Sequence, residues 1–264
     1  MTAVAFVVAI VTVLSSAWGA IAPLSCLLDA QAAELSDIQE RGQLVVAVKD
    51  SLRPLGFRDE QGNLTGLEIE IARRLAEDLL GDPTAVVFQP VLNSERIPAL
   101  LDGEVDVVIA HLGMTDARSR IVNFSYPYYL DGTGLVTRSF DIRAFTDLSG
   151  RKIAVLNHST TIDIVRDRIP GATLIGADSY VEALALLDAG EADAFAGDLA
   201  VLAGWVQEYP AYRMLPTPLS AEALAIAIPR GLDYEPLRQA INQSVEQWTQ
   251  EGWLQEQLEV WGLP

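Results

Sequence analysis

The chain has 264 residues, half of them apolar, which is ample for a packed core in one large or two modest domains. Its 36 acidic against 18 basic residues give a net charge of −18. That balance excludes a nucleic-acid binder working through a basic face that displaces counterions.

The first charged residue is Asp29, and Thr2 to Leu14 is a nearly continuous apolar run. The run has the hydrophobic region of a secretory signal without its usual positive start. Its end reads three ways. Ala30-Gln31-Ala32 is a small-x-small cleavage site that releases a soluble protein beginning at Ala33. Pro23-Leu24-Ser25-Cys26 is an imperfect lipobox around the only cysteine. Left uncleaved, the stretch is long enough to span a bilayer. Residues 1–33 are therefore assigned to a signal peptide or lipoprotein signal. Any contact with the membrane is expected only through a lipid anchor or an uncleaved signal. All three readings place the folded part in the periplasm or on the extracytoplasmic face of a bacterial membrane. A single cysteine allows no disulfide within the chain, so packing must supply the stability.

From about Leu35 strands alternate with helices, the pattern of an α/β protein. Leu44 to Val48 reads as a strand, and Glu68 to Leu80 as a helix stopped by Gly81. Asn93-Ser94 can cap a helix to Leu101, Val105 to Ala110 is a strand, and Thr115 opens another helix. Leu135 to Ser139 reads as a crossover strand, flanked by Gly132 and Gly134. Pro216-Thr217-Pro218 is a stiff breaker, Ala223 to Ile228 a returning strand, and Tyr234 to Trp261 one long helix.

One unit occurs twice. Leu100-Leu101-Asp102-Gly103-Glu104-Val105-Asp106 runs into an apolar strand, and so does Leu186-Leu187-Asp188-Ala189-Gly190-Glu191-Ala192-Asp193. Each is a helix end, a glycine stop and a short acidic turn, with Asp106 and Asp193 read as structural. Each is also preceded by a glycine-led strand, Gly42 to Val48 or Gly150 to Leu156. Two copies imply two similar lobes with a cleft between them, where small ligands bind. The first lobe is expected to be discontinuous, residues 34–133 plus 223–264, and the second to span 134–222. Two strand crossings near 133–139 and 216–223 would then form a hinge.

A screen for catalytic equipment is negative. One Cys and two His give no zinc-ligand cluster, and there is no nucleophile elbow, phosphate loop or dinucleotide fingerprint. No metal and no cofactor is expected. What remains is a pair of helix starts suited to an anion. Thr115-Asp116-Ala117-Arg118 combines a hydroxyl cap with a guanidinium, and Asn157-His158-Ser159-Thr160-Thr161 repeats the pattern without the arginine. Taken singly, Thr115 and Thr160 read more readily as ordinary N-caps and Arg118 as a solvated surface residue. Asp198 can pair a ligand cation or cap the helix from Leu199 to Glu208.

Several runs resemble the bacterial extracellular solute-binding proteins of family 3, the polar amino-acid receptors of ABC importers. They are Leu52-Arg53-Pro54-Leu55-Gly56-Phe57, Gly62-Asn63-Leu64-Thr65-Gly66-Leu67-Glu68-Ile69-Glu70-Ile71-Ala72, and Arg96-Ile97-Pro98-Ala99-Leu100. The most specific is Met114-Thr115-Asp116-Ala117-Arg118 followed by Asn123-Phe124-Ser125-Tyr126-Pro127-Tyr128-Tyr129. The resemblance implies a periplasmic-binding-protein-like type II fold, two α/β lobes on a two-strand hinge. It implies that Arg118 grips an α-carboxylate with the backbone around Gly113 and with Thr161, and that Asp198 takes the α-ammonium from the other lobe. Thr115 and Thr160 belong to the same two helix starts. Leu52 stands where the family often stacks an aromatic, Gly113 replaces a Ser or Thr, and His111 replaces a small residue. Lys49 and Arg96 match basic positions of aspartate and glutamate receptors, and Arg53 lies in the pocket-lining segment. These cations favour an acidic or amide side chain, although Arg96 beside Glu95 could equally make a local ion pair.

The resulting expectation is a monomeric extracytoplasmic binding protein, not an enzyme. It would deliver a free polar amino acid (glutamate or aspartate, glutamine or asparagine) to the transmembrane subunits of an ABC permease. The alternatives are a dehydratase-type enzyme on the same fold, using His111 or a pocket Glu as acid or base, and a sensory ligand-binding domain.

Overall fold

The computed structural model describes residues 32–157 and 159–264. The signal segment and Cys26 lie outside the described residues, as does His158. The chain opens with α1 (Leu35–Arg41) and β1 (Leu44–Val48), then a small antiparallel sheet of β2 (Ser51–Leu52), β3 (Gly56–Arg58) and β4 (Leu64–Thr65). Next come α2 (Leu67–Leu80), β5 (Val86–Pro90), α3 (Arg96–Leu101), β6 (Val107–Ile109), α4 (Asp116–Ser119) and β7 (Asn123–Asp131). A second set follows: β8 (Thr133–Thr137), β9 (Lys152–Leu156), α5 (Thr161–Arg168), β10 (Thr173–Ala177), α6 (Tyr180–Asp188), β11 (Ala194–Asp198), α7 (Leu199–Glu208) and β12 (Arg213–Met214). The chain ends with β13 (Glu222–Ile228), α8 (Glu235–Glu251) and α9 (Trp253–Val260).

Two five-stranded sheets organise these elements, in orders β5-β1-β6-β13-β7 and β10-β9-β11-β8-β12. In each, three parallel strands in the order second-first-third are followed by antiparallel neighbours. The duplicated acidic turns explain the match. Asp106 Oδ2 accepts the Val45 N–H at 2.7 Å and also binds Arg41, while Asp193 Oδ2 accepts the Lys152 N–H at 2.9 Å and Oδ1 pairs with Arg151. Each carboxylate thus ties the start of its lobe's third strand to the start of its first. Gly103 and Gly190 turn the chain at φ 70° and 72°, a left-handed conformation that glycine adopts without steric cost.

The sheets are joined where β7 passes into β8 and where β12 returns to β13. At Gly132 the two crossings touch: a Cβ there would lie 2.1 Å from the Ser220 carbonyl oxygen, and φ is 152°. Thr133 N–H donates to Ser220 Oγ at 2.9 Å, and Leu219 N–H to the Thr133 carbonyl at 2.7 Å. Helix α7 also bridges the lobes. Ala200 and Ala203 pack into the first lobe's core, and Gly204 lets the helix approach the Arg53 carbonyl.

Three expectations change. The C-terminal helix is two helices, because Gly252 takes a left-handed φ of 78° that ends α8 and redirects α9. The helix opened by Thr115 is a single turn, too short for its backbone dipoles to sum to much. The Asn93-Ser94 cap is absent, since α3 begins after Glu95, whose carboxylate accepts the Leu92 N–H instead.

Candidate functional site

The carboxyl ends of parallel strands are where open α/β sheets bind ligands. In the first lobe that edge carries residues 110–118 after β6, and in the second it carries Thr161 after β9 and Asp198 at the end of β11.

Arg118 is half-buried and is not a free surface residue. Its Nη1 donates to the Gly113 carbonyl at 2.7 Å and lies 3.7 Å from Glu222 Oε1. Thr115 is the ordinary N-cap that its sequence allowed, its Oγ1 accepting from the Arg118 N–H at 3.2 Å. In the other lobe Thr160 makes no capping bond. Ser159 Oγ accepts the Thr161 N–H at 3.1 Å, and Thr161 itself is buried.

Asp198 occupies the N-cap position of α7 but its side chain makes no capping bond. Asp131, buried at the end of β7, does that work: its Oδ1 accepts the Ala200 N–H at 3.1 Å. The Asp198 carboxyl is therefore left for other partners. Burial pushes its pKa up, His111 opposes the rise, and Asp131 and Glu222 add to it. Its field also reaches Tyr180, whose hydroxyl burial and Asp198 together raise to about 12.

His111 sits between the lobes. Its Nε2 is 2.7 Å from Asp131 Oδ2, and its backbone N–H donates to Glu68 Oε1 at 2.6 Å. Burial draws the imidazole pKa down, but the Asp131 hydrogen bond and charge, with Glu68 and Asp198, leave it above the ordinary value. His111 has φ 49°, the left-handed region that a residue with a Cβ enters at some cost. Glu68 is fully buried, which raises its pKa, and accepts from the Tyr128 hydroxyl at 2.6 Å.

Arg96 does not pair with Glu95. Its buried guanidinium donates to the carbonyls of Asn93, Ala110 and His111, so it clamps the loop that carries Gly113 and Arg118. Burial, then the charge of Arg118, pulls its pKa down, and Glu68 and Glu222 counter this. Lys49 is likewise spent on backbone, Nζ donating to the Val91 carbonyl at 2.8 Å. Arg53 stacks its guanidinium over the Phe57 ring, 3.9 Å from the centroid. With Leu52 it lines an interlobe groove of about 220 Å³ against Tyr180 and Trp205 of α6 and α7.

The structure thus gathers Gly113, His111, Thr115, Arg118 and the Arg96 clamp around one edge, with Asp198 in electrostatic reach. Lys49 stays within the field of Arg96 and Glu68 but spends its ammonium on the Val91 carbonyl, and Arg53 lies in the separate groove. Sequence reasoning missed Asp131, Glu68 and Glu222. Asp131 did carry a signal, the turn pair Asp131-Gly132 just ahead of the crossover strand.

Comparison with known proteins decides the family. Residues 44–264 match the model of the bacterial extracellular solute-binding proteins, family 3. The chain belongs to that family. It is 30% identical over 230 residues to the ABC transporter glutamine-binding protein GlnH of Bacillus subtilis (strain 168), covering 86% of this chain and 84% of that protein. It is 34% identical over 195 residues to the glutamine-binding protein of Geobacillus stearothermophilus, covering 73% and 74%. Among solved structures, an ancestral cationic amino acid solute-binding protein, AncCDT-1, superposes with TM-score 0.76 at 29% identity, over 86% of this chain and 99% of that chain. For a family 3 protein the two-lobed α/β architecture is as expected, and the cleft between the lobes is the place to look for a ligand.

Proposed function

We propose that this chain is the extracytoplasmic binding protein of an ABC importer and that it captures a polar amino acid between its lobes. The observation that carries the reading is a cation on one lobe and a carboxyl on the other that share Glu222 as a charged neighbour. Arg118 lies on the first lobe, Asp198 on the second, and Glu222, 3.7 Å from Arg118, perturbs Asp198 as well. An α-carboxylate at Arg118 and an α-ammonium at Asp198 use charge-assisted hydrogen bonds, the strong kind. Binding that needs both lobes favours the closed form, because only there are both contacts made.

The curated relatives carry the same name of binding protein, with glutamine as the named ligand of two. Delivery to permease subunits and an extracytoplasmic address follow from the family rather than from any contact in this chain. Among the described residues no helix is long and apolar enough to cross a membrane. A dehydratase reading has a relative to point to, an ancestral amino-acid-binding protein described as a precursor of cyclohexadienyl dehydratase. It needs a proton donor in the cleft, and here His111 Nε2 is engaged by Asp131 and Glu68 is fully buried.

Native mass spectrometry of the gently purified protein tests the proposal. A retained amino acid of unchanged mass is the expected result. A retained product of elimination, or no uptake of any of the twenty amino acids, would defeat it.

A further inference from the structure

We infer that Glu68 and Arg96 are positioning residues for carboxylate capture: from two different helices they pin the backbone of His111, whose left-handed turn sets Gly113 and Arg118 at the cleft edge. The inference rests on the amino-acid-binding reading and deepens it by naming what orients the carboxylate grip.

His111 is the one non-glycine residue at positive φ among the described residues, at 49°. Such a conformation persists only where the surroundings impose it, and it gathers at ligand clamps. Here both backbone polar groups of the residue are taken by buried charged side chains of the first lobe. Its N–H donates to Glu68 Oε1 at 2.6 Å, and its carbonyl accepts from Arg96 Nη1 at 2.5 Å. Neither partner is loose. Glu68 sits in the first turn of α2, where its own N–H is held by the Leu55 carbonyl at 2.8 Å, and its Oε1 also accepts the Tyr128 hydroxyl. Arg96 opens α3 and donates to the carbonyls of Asn93 and Ala110 as well.

The turn redirects the strand. β6 pairs with β13 at Val108–Ala227, and the chain meets β13 again at Gly113–Leu224. Five steps along one strand thus face three along the other, a bulge of the kind that re-aims a side chain beside a site. Past the bulge the Gly113 carbonyl accepts from Arg118 Nη1 at 2.7 Å. Position is therefore relayed from Glu68 and Arg96 through the His111 backbone to Gly113, and on to the guanidinium. Glu68, Arg96 and Lys49 also lie in one another's fields, and Arg96 feels Arg118. The test must accordingly separate charge from hydrogen bonding.

Calorimetric titration of wild type, Glu68→Leu, Glu68→Gln and Arg96→Lys does so, using the tightest binder of the twenty amino acids and the α-carboxamide of that same amino acid. The ratio of the two Kd values reports the carboxylate grip alone, since a general loss of fold or of the shared ammonium contact moves both alike. Wild type should favour the free carboxylate by at least about 30-fold. Glu68→Leu removes the acceptor and should cut that preference at least about tenfold, the scale on which groups that orient a binding residue act. Glu68→Gln removes the charge but keeps an acceptor oxygen, and should restore most of the preference. Arg96→Lys keeps the charge but loses the planar fork. It should lower the preference from a separate helix, and it carries the test should Glu68→Leu not fold. Amide hydrogen exchange of the ligand-free proteins reads the loop directly: residues 110–118 should exchange faster in Glu68→Leu, with β9 to β11 at wild-type rates. An unmoved preference in Glu68→Leu and Arg96→Lys overturns the inference, as does a Glu68→Gln preference as low as that of Glu68→Leu. Unchanged exchange over 110–118 overturns it too. Binding of no amino acid by the wild type would instead sink the amino-acid reading on which it rests.

Discussion

Asp131 accepts the backbone N–H of Ala200 and so caps the helix that Asp198 begins. One buried carboxylate on the hinge strand performs the local task and leaves the other, on the opposite lobe, unspent. Side chains at helix starts usually satisfy the free N–H groups there. Here that duty is borrowed from a residue 69 positions away.

The two aspartates should therefore separate on mutation. Asp131→Ala loses a cap worth about 1–2 kcal/mol and strands His111, so its thermal midpoint should fall by several degrees. Asp198→Asn should leave the ligand-free midpoint nearly unchanged. Melting curves of both variants without ligand check this, and a larger drop for Asp198→Asn would return it to the role of cap.

His111 gives the apo protein a pH dependence of definite sign. Its folded pKa is raised above the ordinary value of 6.5, so the folded state holds the extra proton more tightly than the unfolded chain. The stabilisation from the His111–Asp131 pair is complete below about pH 6.5. It fades as pH rises through the elevated folded value. His111→Asn, which tolerates the left-handed backbone, should flatten that slope. Denaturation midpoints between pH 6 and 9 measure it.

Asp198 gives binding a pH dependence of the other sense. Its pKa is raised, chiefly by burial, and an ammonium beside it would favour the ionised form. Affinity should then weaken with acidification beginning above the usual aspartate range, with proton release on binding. Calorimetry in buffers of different ionisation heat reads that proton count. A count of zero from pH 4 to 6 would separate Asp198 from the ligand.

Gly132 is where the two hinge strands meet. Gly132→Ala forces a methyl against the Ser220 carbonyl at a positive φ, and overpacking plus backbone strain should cost about 2–4 kcal/mol. The shift in urea midpoint tests it, and a change below 0.5 kcal/mol (about the surface-substitution range) would mean that the crossings are loose.

The legible parts of this molecule were those encoded over short spans. The repeated helix end, glycine and acidic turn showed two lobes because each copy lies within a few residues, although the bonds its Asp makes reach 61 and 41 positions back along the chain. The Arg118 segment was visible for the same reason. Pairings across long stretches of chain were hidden: Asp131 with His111 and Ala200, and Glu222 with Arg118. Arg96 and Lys49 were seen as charges, but that their partners are backbone carbonyls depends on burial that composition does not reveal. The strands β2 to β4 are two or three residues long, below the reach of any periodicity. The break at Gly252 was present in the sequence and masked by the strong apolar pattern on either side.

The central claim is that Arg118 and Asp198 hold opposite ends of one amino acid. Calorimetric titration of wild type, Arg118→Ala and Asp198→Asn with the best-binding amino acid tests it most directly. Truncating one partner of a hydrogen-bonded charge pair costs about 2–5 kcal/mol, so each variant should bind at least about 30-fold more weakly while both remain folded. Wild-type affinity in either variant would contradict the account.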